Sequence, residues 1–284
     1  MFFRIVIIMN TKEQLKKLIN EADAIVIGAG AGLSTAAGFV YGGDYFLENF
    51  SDINKKYGYT DMYSAGFHNF KTLEEKWGYW SRFIYLQRYK EGAKKLYCDL
   101  LKVFKDKNYF VLTTNVDHQF QLAGFDKNRL FYTQGDYGLF QCEVPCHNKT
   151  YDNYDSIMKM IKEQKDGIIP TSLIPVCPVC GKRMTTNLRS DDSFVEDEGW
   201  VNSCKNYENF LNRNSDKKVL FLELGVGFNT PGIIKYPFIK MTYAFKDAFY
   251  VCMNLSDNYI PEKIKDKALQ IDEDIKSVVE YLLN

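Results

Sequence analysis

Three short stretches end apolar runs with small or polar residues, and each has a chemistry of its own. Gly28-Ala29-Gly30-Ala31-Gly32-Leu33-Ser34 follows Ala24-Ile25-Val26-Ile27. Small residues there let a backbone turn approach a pyrophosphate, while the helix that follows offers unpaired N–H groups and the positive end of its dipole. The spacing is not G-x-G-x-x-G, and no clear acidic residue stands on a second strand about twenty positions later, which argues against an ordinary dehydrogenase site. Thr113-Thr114-Asn115-Val116-Asp117 puts an amide and a carboxylate at the end of a second run. Ligands of open α/β sheets gather at that edge, although Asn and Asp also begin helices as N-caps. Gln134-Gly135 closes a third run, so three strand ends would deliver polar groups to one crevice. Leu222-Glu223-Leu224-Gly225-Val226-Gly227-Phe228-Asn229-Thr230-Pro231 adds another glycine turn, with Pro231 suited to a first helical turn, and Met253-Asn254-Leu255 ends the last expected strand.

The cysteines carry a different chemistry. Of seven, Cys142 and Cys146 form one close pair and Cys177 and Cys180 another, with Gly181 after the second. Such pairs converge into a tetrahedral thiolate site, which favours zinc, and four protein ligands leave no open position, so the metal should be structural. His147, beside Cys146, is an alternative ligand. Cys98, Cys204 and Cys252 are left over, and Cys252 lies in an apolar run that reads as core.

The elements that must position these groups read as a doubly wound α/β fold. Apolar runs at 24–27, 109–113, 130–133, 219–224 and 248–253 look buried on both faces, as strands of a parallel sheet covered by helices do. A helix over 11–22 opens with Thr11-Lys12-Glu13-Gln14, which reads as a capping box. Residues 1–8 read either as an upstream extension or as a short edge strand. Two stretches break the alternation: an aromatic-rich segment at 42–92, in which Trp77, Trp80, Phe83, Ile84 and Leu86 recur at helical spacing, and the weakly periodic 136–200 that carries the cysteine pairs. The expected organisation is a Rossmann-like core of 1–41, 93–135 and 201–284, with 42–92 and 136–200 forming a smaller helical and zinc-binding domain.

With 284 residues, 46% of them hydrophobic, 21 Phe and 20 Tyr, the chain builds such a core readily. Lys and Arg number 36, as do Asp and Glu, so no global field draws it to nucleic acid or an acidic membrane. The apolar stretch near the start is far short of the roughly 20 residues that span a bilayer and lacks a cleavage site, so a cytoplasmic protein is expected.

Taken in order, the 28–34 loop, Thr114-Asn115-Val116-Asp117, Gln134-Gly135, the cysteine pairs, Gly225-Val226-Gly227 and Asn254 resemble the sirtuin family over about residues 10–284. Asp61-Met62-Tyr63-Ser64, Tyr132-Thr133-Gln134-Gly135-Asp136-Tyr137-Gly138 and Asn229-Thr230-Pro231 look more specifically like the class M sirtuins of microbes. That resemblance implies a protein ADP-ribosyltransferase that consumes NAD in a cleft between a Rossmann domain and a small zinc domain. It also implies a protein substrate, a lipoyl-carrier protein, and a functional link to a macrodomain hydrolase. Gly28, Ala29, Gly30, Gly32 and Ser34 would meet the diphosphate and Phe46 would shield the reactive ribose carbon. Thr114, Asn115, Asp117 and Gln134 would meet the nicotinamide ribose and amide, and Gly225, Gly227, Asn229 and Asn254 the adenosine side. Departures are visible: Gly42-Gly43-Asp44-Tyr45-Phe46 lacks the arginine of deacylating members, and Gly225-Val226-Gly227 stands for their Gly-Thr-Ser turn.

The decisive departure is Gln134, where the family has its catalytic histidine. Deacylation needs a base to activate a ribose hydroxyl, a service worth about 10² to 10⁴ in rate, or roughly 3 to 5.5 kcal/mol of barrier. An amide cannot take up a proton at neutral pH, though it can hydrogen-bond and orient the sugar. A carboxylate acceptor, with an ordinary pKa near 4, arrives ionised and needs no base. Transfer of ADP-ribose to a protein side chain is therefore the expected reaction, with Asn115, Gln134 and Asp117 at its centre. The rivals are a deacylase in which another imidazole moves in, an idle NAD sensor, and simple NAD hydrolysis. Of the other histidines, His118 reads as a helix-opening residue that caps or packs, and His68 as lacking a partner.

Overall fold

The structure, a computed structural model, describes residues 10–256 and 258–284; the two readings of residues 1–8 fall outside them. Helix α1 (Thr11–Glu21) is capped one residue before the expected position. Asn10 accepts the Glu13 N–H and the Glu13 carboxylate takes the Asn10 N–H, so the capping box is Asn10-Thr11-Lys12-Glu13. Strand β1 (Ala24–Ala29) runs directly into α2 (Ala31–Ala36), through the glycine turn. The first insertion folds as α3 (Gly43–Tyr57), α4 (Met62–Gly66) and α5 (Leu73–Ile84), extended by a π-helical turn over Tyr85–Tyr89. The core resumes with α6 (Lys95–Phe104), β2 (Tyr109–Thr113), the single turn α7 (Gln119–Leu122) and β3 (Leu130–Tyr132).

The second insertion contributes β4 (Gly135–Cys142), β5 (Tyr151–Asp152), α8 (Tyr154–Glu163) and β6 (Met184–Leu188). The chain then returns through α9 (Glu198–Asn214), β7 (Val219–Leu224), α10 (Lys235–Ala244), β8 (Phe249–Met253), β9 (Ala268–Ile271) and α11 (Ile275–Leu282). Pro231 lies in the turns before α10 and not in its first turn. The last strand is β9, which the sequence reading passed over: four residues with one buried side chain give no run to read.

The six-stranded sheet has the order β3-β2-β1-β7-β8-β9, and each adjacent pair is parallel. Every residue of β1, β2 and β7 is buried because both faces are covered. Ile25, Ile27, Val111 and Leu222 face a cluster with Leu15, Leu96, Phe104 and Val278, while Val26, Phe110 and Phe221 face Ile234, Phe238 and the flank of α9. The chain leaves β1 toward β2 on one side and later returns to β7 on the other. The crevice above their carboxyl ends is thus the switch point at which such sheets bind ligands. Beside it, β5-β4-β6 form a small antiparallel sheet. A cluster of Trp77 and Ile84 with Phe140, Ile157, Met160 and Met184 joins the two insertions, and Phe46, Phe50, Tyr79 and Phe83 form an aromatic core within the first.

Candidate active site

Two glycine turns meet at the switch point. The Gly30 N–H donates to the Leu224 carbonyl at 3.0 Å and the Gly32 N–H to that of Gly225 at 2.9 Å. Gly225 sits at φ 62, and a Cβ there would fall 2.3 Å from the Leu33 nitrogen, so backbone rests on backbone. Gly28 is a glycine for another reason: a Cβ would strike Ile234 and Phe238 of the helix packed under the sheet.

Asn115, Asp117 and Ser34 converge above β1 and β2. The Asn115 amide nitrogen donates to the Gly30 carbonyl at 2.9 Å, and its Oδ1 has no hydrogen-bond partner among the described residues. Buried Asp117 accepts from the Ser34 hydroxyl at 2.6 Å and from the Gln119 N–H at 3.0 Å. The carboxylate therefore closes the turn after β2 and at the same time ties Ser34 of α2 to it. Burial, reinforced by the nearby Asp136 charge, pushes the Asp117 carboxyl up against the pull of those hydrogen bonds. Sequence reasoning missed Tyr97 of α6. Its buried hydroxyl lies 3.2 Å from Ser34 Oγ, 3.4 Å from Asn115 Nδ2 and 3.5 Å from Asp117 Oδ2. An aromatic on an apolar helix face carries no sequence signal of that role.

Gln134 follows β3, half-buried, with its backbone carbonyl receiving the Arg189 N–H at 3.1 Å and its side-chain amide without a hydrogen-bond partner among the described residues. Gly135 is obligatory: φ is 92 and a Cβ would lie 1.9 Å from the Asn187 carbonyl oxygen, where the chain turns from the large sheet into β4. Asp136, two residues on, is buried and faces both His118 and Arg88.

His118 does not cap α7 through its side chain; it holds the N-cap position at φ 63 with its Nδ1 paired to the Asp136 carboxylate. His68 also has partners, with Tyr59 Oη 3.2 Å from its Nδ1 and its ring against Tyr57. Phe46 is fully buried and stacked on Phe50 in the aromatic core of the first insertion. On the other flank Thr114 donates its N–H to the Ala29 carbonyl, Gly227 is half-buried, Asn229 is exposed, and Asn254 follows β8 with its side-chain Oδ1 accepting the Leu255 N–H.

The four cysteine sulfurs lie within 4.8 Å of one another, with Cys142–Cys180 at 3.6 Å and Cys146–Cys177 at 3.7 Å. A tetrahedron with metal–sulfur bonds of about 2.3 Å needs sulfurs about 3.8 Å apart. The residues fit a structural zinc. His147 stands outside that set, bridging Cys146 Sγ and the Tyr151 hydroxyl. Cys252 is an inert core residue, its thiol pushed up to about 11 chiefly by burial. No helix among the described residues is long and apolar enough to cross a membrane.

No protein-family model matches the chain. It is similar to solved sirtuin structures, among them one on the structural basis of sirtuin substrate affinity, with 21% identity, a TM-score of 0.62 and coverage of 97% of this chain and 98% of that one. A Sir2 protein with a p53 peptide and NAD+ has a TM-score of 0.56 at 19% identity, over 97% and 98% of the two chains. A probable bifunctional ADP-ribose hydrolase/ADP-ribosyltransferase of Fusarium oxysporum f. sp. cubense is 32% identical over 78% of this chain, which spans 38% of that longer protein. A protein ADP-ribosyltransferase of Staphylococcus aureus is 40% identical over 94% of this chain and 85% of its own length. The chain therefore belongs to the protein ADP-ribosyltransferases built on the sirtuin fold.

Proposed function

We propose that this chain cleaves nicotinamide from NAD and transfers the ADP-ribose to a side chain of a protein substrate, a lipoyl-carrier protein. What supports the reading is Gln134, a neutral amide with no side-chain partner among the described residues, which follows β3, the parallel neighbour of the strand β2 that Asn115 and Asp117 follow. It orients the ribose hydroxyls without accepting a proton, and the open Oδ1 of Asn115 faces the same sugar. Departure of nicotinamide leaves the ribose carbon cation-like, which orientation and carboxylate charge stabilise without a base. The glycine turns 28–32 and 225–227 with Ser34 serve the diphosphate, and Asn229 and Asn254 the adenosine side. In this reading the insertions 42–92 and 136–200 form the lobe that covers the crevice, and the protein works in the cytoplasm. The combined hydrolase and transferase name of the fungal relative supports a link to a macrodomain hydrolase.

Incubation of the protein with labelled NAD, a lipoylated carrier and an acyl-lysine peptide tests the assignment. Label on the carrier is expected, whereas O-acyl-ADP-ribose would establish a deacylase. Nicotinamide release that disappears in Asn115→Ala separates an enzyme from an idle NAD-binding protein.

A further inference from the structure

Tyr97 of α6 is fully buried in the core cluster with Leu33, Val111 and Phe120, and its ring meets that of Phe120 edge-on, 4.9 Å between centroids. Packing thus fixes the ring and with it the hydroxyl, which Ser34, Asn115 and Asp117 surround. Counting protons gives these contacts a direction. The Gly30 carbonyl can only accept, so the Asn115 atom 2.9 Å from it is the amide nitrogen, and the second N–H of that amide is the one that reaches Tyr97 Oη at 3.4 Å. The Ser34 hydroxyl gives its single proton to Asp117 at 2.6 Å, so toward Tyr97 it is an acceptor. Tyr97 must therefore accept from Asn115 and donate to Ser34 or Asp117. Burial, reinforced by the Asp117 charge, pushes the phenol well above its ordinary range, so the proton stays on the oxygen. The donors run one way, from Asn115 through Tyr97 and Ser34 to Asp117, and both protons of the Asn115 amide are used on the protein side. Its Oδ1 is left over, unpartnered among the described residues and open to solvent just beyond the end of β2.

We propose that Tyr97 is a positioning residue whose hydroxyl locks the Asn115 amide with both N–H groups turned inward, so that NAD meets an acceptor at Oδ1 and never a donor. The inference rests on the cleavage reaction above and adds to it a residue of α6, outside the strand ends. Ribose hydroxyls are donors to such an oxygen, and an acceptor held in one orientation keeps the sugar in place as nicotinamide departs. An amide free to turn over would present Nδ2 part of the time and misplace the sugar. Tyr97 acts through Asn115 and moves no proton.

The test is Tyr97→Phe in the whole protein, which keeps the ring and removes only the oxygen. Nicotinamide release should slow about tenfold in kcat, the worth of one hydrogen bond, while KM for NAD changes far less and the thermal melt stays close to that of the wild type. A packing role would not move the Asn115 side-chain amide in proton–nitrogen correlation spectra, where its signals are assigned by their loss in Asn115→Ala. Both amide protons should exchange slowly with solvent in the wild type, and one of them should exchange faster in Tyr97→Phe. Unchanged kcat, KM for NAD rising in place of a fall in kcat, unchanged exchange at Asn115, or a melt that collapses in Tyr97→Phe would each overturn the inference. A wild-type protein that releases no nicotinamide would instead overturn the proposed reaction, and the exchange at Asn115 alone would then decide whether Tyr97 holds the amide.

Discussion

Glu223 and Asp136 are both buried carboxylates facing a cation, yet they sit in opposite kinds of place. Glu223, in β7, has Lys235 Nζ at 2.5 Å on one oxygen and the Tyr250 hydroxyl at 2.7 Å on the other, and both charged side chains are closed off from solvent. Asp136 likewise has both oxygens engaged, by the Gly138 N–H, Arg88 and His118, but His118 is partly open and sits in the left-handed region. Burial dominates at Glu223 and pushes its carboxyl up despite Lys235 and Tyr250. At Asp136 the hydrogen bond and charges of its partners outweigh burial, and the carboxyl falls. A closed pair can only hold the fold, whereas an open one leaves a polar atom free to meet a ligand.

The contrast can be broken at several points. The largest effect lies in the cysteine cluster: Cys177→Ser should abolish the single zinc equivalent and lower stability by several kcal/mol, read by metal analysis and thermal melting. If the purified protein carries no zinc and Cys177→Ser melts normally, the metal assignment fails. Next, Lys235→Met should leave Glu223 uncompensated and cost about 3 to 5 kcal/mol in urea unfolding. Adding Glu223→Leu should recover most of that loss, because an apolar pair of similar volume fits the same place; no recovery would mean that Lys235 acts through other contacts. His118→Gly should then shift stability by only about 1 kcal/mol, since relief of the left-handed backbone offsets loss of the ion pair. A loss several times larger would make His118 a structural residue after all.

The smallest effect sharpens the comparison through pH. Asp136, lowered in the folded state, contributes stability that is complete above its ordinary value of 3.8 and is lost as pH falls through the folded value. Glu223, raised, contributes stability that is complete below 4.5 and is lost as pH climbs through its folded value. In acid and base titrations followed by circular dichroism, Asp136→Asn should flatten the acid limb and Glu223→Gln the rise-side loss. Identical effects of the two substitutions would dissolve the distinction.

Much of the core was legible because burial on both faces writes itself as apolar runs: 109–113 and 219–224 match β2 and β7 residue for residue. The glycine turns were legible too, although part of their cause was not. Gly30, Gly32 and Gly225 are small because they touch one another, a contact between residues some two hundred positions apart that no local pattern records. β9 escaped because an edge strand with one buried side chain has no hydrophobic run. Asn10 took the cap from Thr11 because both residue types serve and only backbone geometry chooses. His118 and Asp136 were each visible, one residue after Asp117 and two after Gln134, but their pairing arises from the parallel register of β2 and β3 and the tie from the Tyr137 N–H to the Val116 carbonyl.

The seam between the two glycine turns has a kinetic meaning. With the main chains of Gly32 and Gly225 in direct contact, the seat proposed for a diphosphate would be assembled when the protein folds, with no slack to take up when a nucleotide arrives. Arrival should therefore be as fast as diffusion and orientation permit, and substitutions in the surrounding loops should alter chiefly how long the nucleotide stays.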